Sequence, residues 1–152
     1  MAIEIERKFL VTGEGWRKGS PTLFRQGYLN LDKNRTVRIR IFGKEAVLTV
    51  KGPTKGLTRL EFEYAVPVAD AEGMLILCEG GVIEKKRWLF RSGEHIWEID
   101  EFLGENKGLI VAEIELTSED QPFEKPDWVG EDVSHDPRYF NSYLSDSPYG
   151  GW

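Results

Sequence analysis

The sequence predicts a mainly β protein of the α+β class, with eight antiparallel strands and a few peripheral helices. Two observations predict this class. Eight runs of residues alternate between apolar and polar side chains, which is the period of a strand whose successive side chains point to opposite faces. The runs are joined by short links of turn-forming residues, and links of this length favour antiparallel neighbours. The predicted strands cover residues 3–11, 23–30, 35–42, 45–51, 58–67, 83–91, 95–102 and 109–118.

Two helices are predicted to interrupt the strands. The first has Asp70 as its N-cap, extends to 77–79 and stops at the two glycines of 80–81, because glycine readily adopts the conformation that ends a helix. The second covers 137–144. Its N-cap is Asp136, and the proline that follows occupies the first helical position, where its missing N–H is not needed.

The composition fits one globular domain over residues 1–152, with a loose turn at 12–19 and a loosely held tail at 145–152. The net charge of −6 argues against non-specific nucleic-acid binding, which requires a basic surface. The single cysteine, Cys78, excludes an intramolecular disulfide and a cysteine-based zinc site. No apolar segment resembles a signal peptide or a membrane span, so we expect a cytoplasmic protein without membrane contacts.

Charged side chains recur on one face of strand after strand. Like charges this close repel each other and require counterions, which for acidic pairs are metal ions and for basic pairs are polyanions. The charged face sets are Glu4, Glu6 and Lys8; Arg38 and Arg40; Arg59, Glu61 and Glu63; Lys85 and Arg87; Glu98 and Asp100; and Glu113 and Glu115.

Two arrangements are compatible with this alternation. In the first, apolar residues fill the core and the charges form a solvated outer face, which avoids the desolvation cost of burying them. In the second, the sheet closes into a wide barrel whose charges line the interior while the apolar residues pack outward beneath the helices. The dense clusters of mixed sign, the strongly apolar opposite faces and the repeated like-charged pairs favour the second arrangement. We therefore predict a barrel with a charged tunnel.

The same residues resemble a known family. Glu4-Ile5-Glu6-Arg7-Lys8 matches the Glu-x-Glu-x-Lys signature of the CYTH domain, also called the triphosphate tunnel metalloenzyme superfamily. The resemblance extends over almost the whole chain, and the length of the chain is similar to that of the compact bacterial branch of the family. It implies an antiparallel eight-stranded tunnel that binds triphosphate with a divalent metal. The further matches, in the order of the family, are Arg38-x-Arg40, Lys51, Glu61-x-Glu63, Lys85-x-Arg87, Asp100 and Glu113-x-Glu115.

The resemblance and the facing geometry together assign roles to these residues. Carboxylates provide the hard oxygen ligands that Mg²⁺ or Mn²⁺ prefers, and arginine and lysine bind phosphate. Glu61 is expected to pair with a lysine or arginine. The phosphate-binding candidates are Lys8, Arg38, Arg40, Lys51, Lys85 and Arg87, with Arg25 and Arg59 equally compatible with solvated strand positions. The first metal-ligand candidates are Glu4, Glu6 and Glu115; Glu63, Asp100 and Glu113 hold a second metal, position water or orient the cations.

Lys8 has two alternative roles. If other cations surround it, it loses its proton more easily and can act as the general base on the attacking water. Alternatively, it binds phosphate while a metal ion activates the water. The resemblance implies that Tyr28 assists through its hydroxyl. Arg25 and Tyr28 have opposite parity, so both face inward only if Gly27 permits a bulge.

The expected function is metal-dependent hydrolysis of inorganic triphosphate to pyrophosphate and phosphate by a monomer or homodimer. The absence of an evident base-reading module favours a small substrate without a nucleoside. Within the same fold, the alternatives are hydrolysis of thiamine triphosphate or nucleoside triphosphates and cyclisation of ATP. A non-catalytic polyphosphate-binding module is a further alternative, whereas a lipocalin-like barrel would need an apolar lining. The segment with Arg138, Tyr139 and Tyr143 either plugs one tunnel mouth or packs against the barrel.

Overall fold

The strands close into a barrel. In the computed structural model, which describes residues 3–152, the order β5-β4-β3-β2-β6-β7-β8-β1 is closed by pairing of β5 with β1, and all pairs are antiparallel. The predicted eight-stranded antiparallel barrel is therefore confirmed. The strands are β1 Ile3–Val11, β2 Thr22–Asn30, β3 Thr36–Phe42, β4 Glu45–Lys51, β5 Thr58–Ala65, β6 Glu79–Ser92, β7 His95–Phe102, β8 Ile110–Glu115 and β9 Val129–Asp132.

The short strand β9 was not predicted. It pairs with the second half of β1 through Phe9 and Val11, on the edge where the first half of β1 pairs with β5. Its four residues, Val129-Gly130-Glu131-Asp132, are too few to show an alternating pattern in the sequence. β1 therefore contributes to barrel closure with its first half and to a side extension with its second half.

The first helix begins earlier than predicted. Helix α1 covers Val68–Ile76 and has Pro67 at its N-cap, so Asp70 lies in the first turn and makes no cap hydrogen bond. The prediction that Asp70 caps this helix is wrong, because the helix begins at Val68 and Asp70 is already a helical residue. Gly80 has a positive φ of 68°, as predicted for a glycine that ends a helix, but it already belongs to β6.

The predicted helix over 137–144 is divided in two. Asp136 does act as a cap, since its side chain accepts a hydrogen bond from the backbone N–H of Arg138, but it caps a 3-10 turn at Pro137–Tyr139. Phe140 is extended, with φ −76° and ψ 138°, and helix α2 follows at Asn141–Asp146. This extended residue separates the 3-10 turn from α2.

Apolar residues cover the outside of the barrel in three clusters. One gathers Phe9, Trp16, Trp97 and Trp128 around β1, β7 and β8, with edge-to-face ring contacts such as the 5.4 Å between Trp97 and Trp128. The predicted loose turn at 12–19 thus carries a fully buried side chain, Trp16. These rings bury large areas outside the sheet and leave its inner face to the charges.

The other two clusters lie beneath the helices. Ala71 and Leu75 of α1 pack on Ile39 and Ile41 of β3. Leu144 of α2 packs with a cluster that includes Ile83, Phe102 and Val111. The apolar side chains therefore pack outward, which is the second of the two arrangements considered from the sequence.

The segment 145–152 lies against the barrel. Ser145 is buried, and its hydroxyl donates a 2.7 Å hydrogen bond to the carbonyl of Gly81. A 3-10 turn at Tyr149–Gly151 follows, and the backbone N–H of Tyr149 donates to Oδ1 of Asn106 at 2.8 Å. Within residues 3–152, no helix is both long enough and apolar enough to cross a membrane.

Candidate active site

Charged side chains from seven of the eight barrel strands meet in one interior cavity, which we call the tunnel, of about 210 Å³. Inward parity brings them there, since alternate residues of each strand face the axis of the barrel. The predicted residues that line the tunnel are Glu4, Glu6, Lys8, Tyr28, Arg38, Arg40, Lys51, Arg59, Glu61, Glu63, Arg87, Glu113 and Glu115. Three predicted residues, Arg25, Lys85 and Asp100, are not among the lining residues.

Arg25 lies on the outer face of the barrel. Its guanidinium pairs with Glu72 of α1, with Nη2 2.5 Å from Oε1. The bulge at Gly27 that would turn both side chains inward does not occur, because Gly27 pairs in register with Ile39. The register shifts elsewhere: β2 shifts against β3 only after Tyr28, and on β6 residues 79–83 oppose only residues 26–28 of β2. The structure thus places Tyr28 inward and Arg25 outward, which corrects Arg25 as a phosphate-binding candidate.

Lys85 and Asp100 form a buried ion pair that does not line the tunnel. The Lys85 Nζ lies 2.7 Å from the Asp100 carboxylate, and both side chains are at most 1% exposed. Asp100 also accepts two hydrogen bonds from Arg87, at 2.8 and 2.9 Å. Burial alone would raise the pKa of Asp100, but Arg87 and Lys85 hold it below its ordinary value. Asp100 therefore orients Arg87, which is one of the three roles considered for it, and does not face the tunnel as a metal ligand. Lys85 is likewise not among the lining residues, which corrects it as a phosphate ligand.

One mixed cluster is centred on Lys51. Its Nζ lies 2.9 and 3.0 Å from the two carboxylate oxygens of Glu4 and 3.3 Å from Glu61. The prediction that Glu61 pairs with a basic residue is confirmed. Burial and the neighbouring Glu4 raise the pKa of Glu61 to about 7. One lysine thus neutralises two carboxyl groups, so the binding of a further cation at this position would be favourable.

A second mixed cluster is centred on Lys8. Its Nζ lies 3.5 Å from both Glu6 and Glu113. Burial alone would lower the pKa of Lys8, but Glu113 and Glu6 raise it above its ordinary value. A general-base role of Lys8 would require cations around it, and the charged groups in contact with it are carboxyl groups instead. Since its neighbours are carboxylates, the physical argument for Lys8 as a general base loses its support.

The carboxylates of the tunnel are chemically suited to a divalent cation. Burial and the charge of Glu113 raise the pKa of Glu6 to about 8, and burial together with Glu4 also raises the pKa of Glu115. Such shifts mark acidic groups that lack enough positive charge around them. In the described part of the chain, no three carboxylate or imidazole side chains already stand together in the geometry of a metal site. The oxygen donors nevertheless fit Mg²⁺ or Mn²⁺, which accept a few carboxylates and complete their shell with other oxygens.

The arginines of the tunnel are suited to an anion. The Nε of Arg38 is buried and has no hydrogen-bond partner within residues 3–152, and its Nη2 has long contacts of 3.4 Å with Thr49 and 3.9 Å with Glu63. Burial, together with the charges of Arg38 and Arg87, lowers the pKa of Arg40 to about 9. Unpaired guanidinium donors that crowd one another require acceptor oxygens, as a phosphate chain provides.

Several lining residues were not assigned from the sequence. Thr36 and Thr49 share the inward parity of Arg38 and Lys51, and parity alone could have found them. Glu98 was on a recognised charged face and pairs with Arg87 at 2.9 Å. Asn141 received no role, because it lies in α2, outside the alternating strand pattern, although the stretch Asp136 to Asn141 also resembles the bacterial branch of the family.

The fold and the site define a class of protein: a closed antiparallel barrel whose interior combines guanidinium and ammonium groups with clustered carboxylates, as required to hold a polyphosphate chain together with divalent cations. A family comparison agrees with this class. The CYTH domain model matches residues 2–140, and the chain belongs to this family. Membership implies a divalent metal cofactor.

Individual relatives extend the comparison. A protein of Acetivibrio thermocellus named inorganic triphosphatase is 50% identical over 151 residues, which cover 98% of this chain and 97% of the relative. One of Nitrosomonas europaea, with the same name, is 37% identical over 148 residues and covers 93% and 96% of the two chains. A crystal structure of an inorganic triphosphatase is similar with a TM-score of 0.67 and 34% identity, covering 95% of each chain.

Proposed function

We propose that this protein hydrolyses inorganic triphosphate to pyrophosphate and phosphate with the help of a divalent metal ion. The observation that carries the proposal is the meeting of six cations and seven carboxylates in one tunnel. The cations are Lys8, Arg38, Arg40, Lys51, Arg59 and Arg87, and the carboxylates are Glu4, Glu6, Glu61, Glu63, Glu98, Glu113 and Glu115. The names of the two relatives with 50% and 37% identity support the choice of substrate.

The cations hold and orient the phosphate chain. Arg38 and Arg40 on β3 and Arg87 on β6 lie on the two sides of β2 and line the same tunnel, and their planar forks can bind two oxygens each. In the reaction, a water oxygen bonds to a terminal phosphorus, the bridging P–O bond breaks, and its electron pair leaves with pyrophosphate. Because negative charge spreads over the phosphoryl oxygens in this step, fixed cations lower the barrier without forming covalent bonds.

The carboxylates provide the metal site. Glu4, Glu6 and Glu115 are the proposed ligands of a first ion, and Glu63 and Glu113 of a second ion or of an oriented water. A bound Mg²⁺ or Mn²⁺ would neutralise phosphate charge and polarise the reacting oxygens. We assign Glu61 to the orientation of Lys51, since the two lie 3.3 Å apart.

We place Lys8 among the phosphate ligands, because its carboxylate neighbours keep it protonated. Tyr28, which lies opposite Arg38 in the β2–β3 register and lines the tunnel, presents its hydroxyl to the substrate or to the attacking water. Both assignments fit a site that works by positioning and charge.

The decisive experiment is an assay of phosphate release from triphosphate, pyrophosphate, ATP and thiamine triphosphate, each with and without Mg²⁺ or Mn²⁺. We expect the highest kcat/KM for triphosphate and no release without a divalent ion. Tight binding of triphosphate with no release under any condition would identify a non-catalytic binding module. Formation of cyclic AMP from ATP as the preferred reaction would replace hydrolysis with cyclisation.

A further inference from the structure

Asn141 connects the C-terminal segment to the cations of the tunnel. It is the first residue of α2, it is 9% exposed, and it lines the tunnel. Its Oδ1 accepts two hydrogen bonds, from Nε2 of Gln26 at 2.9 Å and from Nζ of Lys85 at 3.0 Å. Gln26 is fully buried, and its Oε1 in turn accepts from Nε of Arg40 at 2.8 Å.

The chemistry of the two end groups fixes the orientation of both amides. Lysine and arginine only donate hydrogen bonds, so the atoms that face Lys85 and Arg40 must be amide oxygens. The Gln26 oxygen faces Arg40, which leaves the Gln26 nitrogen as the donor to Asn141. The oxygen of Asn141 is therefore the common acceptor, and the opposite assignment would place two donors against each other.

This orientation leaves the Asn141 amide nitrogen for a ligand. Among residues 3–152, none accepts a hydrogen bond from Nδ2 of Asn141, and this atom is not fully buried. The Oδ1 of the same side chain, in contrast, accepts two hydrogen bonds. Since Asn141 lines the tunnel, its two free N–H groups are available there. Phosphate oxygens only accept hydrogen bonds, so this nitrogen is a matched donor for them.

We propose that Asn141 is a substrate-binding residue that donates through Nδ2 to an oxygen of the polyphosphate chain. The inference rests on the proposed function for the identity of the ligand. A neutral donor has a specific advantage at this position, because Arg38, Arg40 and Arg87 already crowd one another and an additional cation would be repelled. The bonds to Lys85 and Gln26 hold the amide in place before the substrate arrives.

The test replaces Asn141 with Asp. The carboxylate that N141D introduces still accepts from Lys85 and Gln26, but it presents an anionic oxygen to the tunnel in place of the N–H groups. We expect KM for triphosphate with Mg²⁺ to rise about tenfold or more, as expected from exchanging a favourable phosphate contact for a repulsive one. The same variant should lose most of the rise in Tm that imidotriphosphate, a hydrolysis-resistant analogue with P–N–P bridges, produces in the wild type with Mg²⁺.

Asn106 provides the matched control. It is also a buried asparagine, 4% exposed, and its Oδ1 accepts from the backbone N–H of Tyr149 outside the tunnel. N106D makes the same chemical change and should leave KM and the analogue-induced rise in Tm as in the wild type. N141A removes the donor without adding charge and should raise KM by a smaller factor than N141D.

The outcomes separate this inference from the proposed function. If N141D and N141A keep the wild-type KM and the full analogue-induced rise in Tm, Asn141 is only a structural residue and the inference is wrong. If the wild type binds the analogue but does not hydrolyse triphosphate, the proposed function fails while the binding comparison still decides the role of Asn141. If the wild type neither hydrolyses triphosphate nor is stabilised by the analogue, both proposals fail; if it hydrolyses triphosphate without being stabilised by the analogue, the comparison of KM values decides the role of Asn141.

Discussion

At the scale of single residues, the side chains of the tunnel act in groups of mixed charge. Lys8 shows this most directly, because its ammonium group lies 3.5 Å from each of two carboxylates, Glu6 and Glu113. The local sequence places Lys8 beside Glu6, but the contact with Glu113 depends on the pairing of β1 with β8. This pairing helps to raise the pKa of the lysine and so favours a role as a charged ligand of phosphate.

Replacement of Lys8 with Ala tests that role. If Lys8 binds phosphate and does not accept the proton of water, KM for triphosphate should rise about 10- to 100-fold, the effect of losing one charge-assisted hydrogen bond, while kcat changes much less. Steady-state kinetics at saturating Mg²⁺ separate the two parameters. A loss confined to kcat, with unchanged KM and a bell-shaped pH profile reduced to one limb, would restore Lys8 as the general base.

Glu6 gives a prediction for pH. Its pKa of about 8 exceeds the ordinary value because of burial and Glu113. The folded protein therefore holds this proton more tightly than the unfolded chain does, and the free energy of unfolding of the metal-free protein falls as the pH rises from about 4.5 to 8. E6Q should be as stable as the wild type near pH 5 and more stable above pH 8, measured by urea denaturation in EDTA.

The same shift affects metal binding. If Glu6 is a ligand, the ion displaces its proton, so the rise in Tm produced by Mg²⁺ should increase with pH through about 8 in the wild type. E6Q should lose this pH dependence. A Mg²⁺ effect on Tm that is equally large at pH 6.5 and pH 8.5 in the wild type would remove Glu6 from the metal site.

At the scale of elements, the start of β6 and helix α2 depend on each other. Gly80 has a φ of 68°, and a Cβ at this position would lie 2.7 Å from the carbonyl oxygen of Ser145. The close approach allows Ser145 to donate to Gly81, and it seats α2 so that Asn141 reaches the tunnel. The extra residues of β6 opposite β2 were predicted to end the first helix. They contact the C-terminal segment instead.

Gly80→Ala should therefore destabilise the protein by about 2–3 kcal/mol, which combines the cost of a left-handed conformation with the displacement of α2. Gly43→Ala is the matched control. Gly43 has a φ of 58° and open space around its Cβ position, so only the conformational cost of about 1 kcal/mol applies. Urea denaturation measures both variants, and equal losses would show that the contact with Ser145 contributes nothing.

At the scale of the whole molecule, the barrel is covered outside by aromatic and aliphatic clusters, while its inside is polar. Seven carboxyl groups line the tunnel beside the six cations and offset much of their charge, so bound metal ions would strengthen the attraction for a polyanion. Lys51 and Lys8 are engaged with carboxylates in the present structure. A divalent ion that takes over those carboxylates would release the two lysines toward phosphate.

Metal and triphosphate should therefore strengthen each other's binding. We expect EDTA to abolish hydrolysis, and we expect the rise in Tm with Mg²⁺ and imidotriphosphate together to exceed the sum of the rises with each alone. A thermal-shift matrix of the two ligands measures this coupling. Strictly additive shifts would contradict the exchange of partners by Lys8 and Lys51.

The alternation of side chains in the sequence determined which face of each strand carries charge. The barrel, the family and most of the tunnel residues could be predicted from it, because a strand has only two faces and only one of them can contact the apolar cover. The parity of a residue predicts the face of the sheet to which its side chain points, but not whether that side chain is exposed in the tunnel or fully buried. Only the tertiary structure decided that Lys85 and Asp100 are sealed beneath the wall, that carboxylates surround Lys8, and that Asn141 enters from the C-terminal segment. These features depend on the closure of β5 on β1 and on the docking of α2, which bring together residues far apart in the chain.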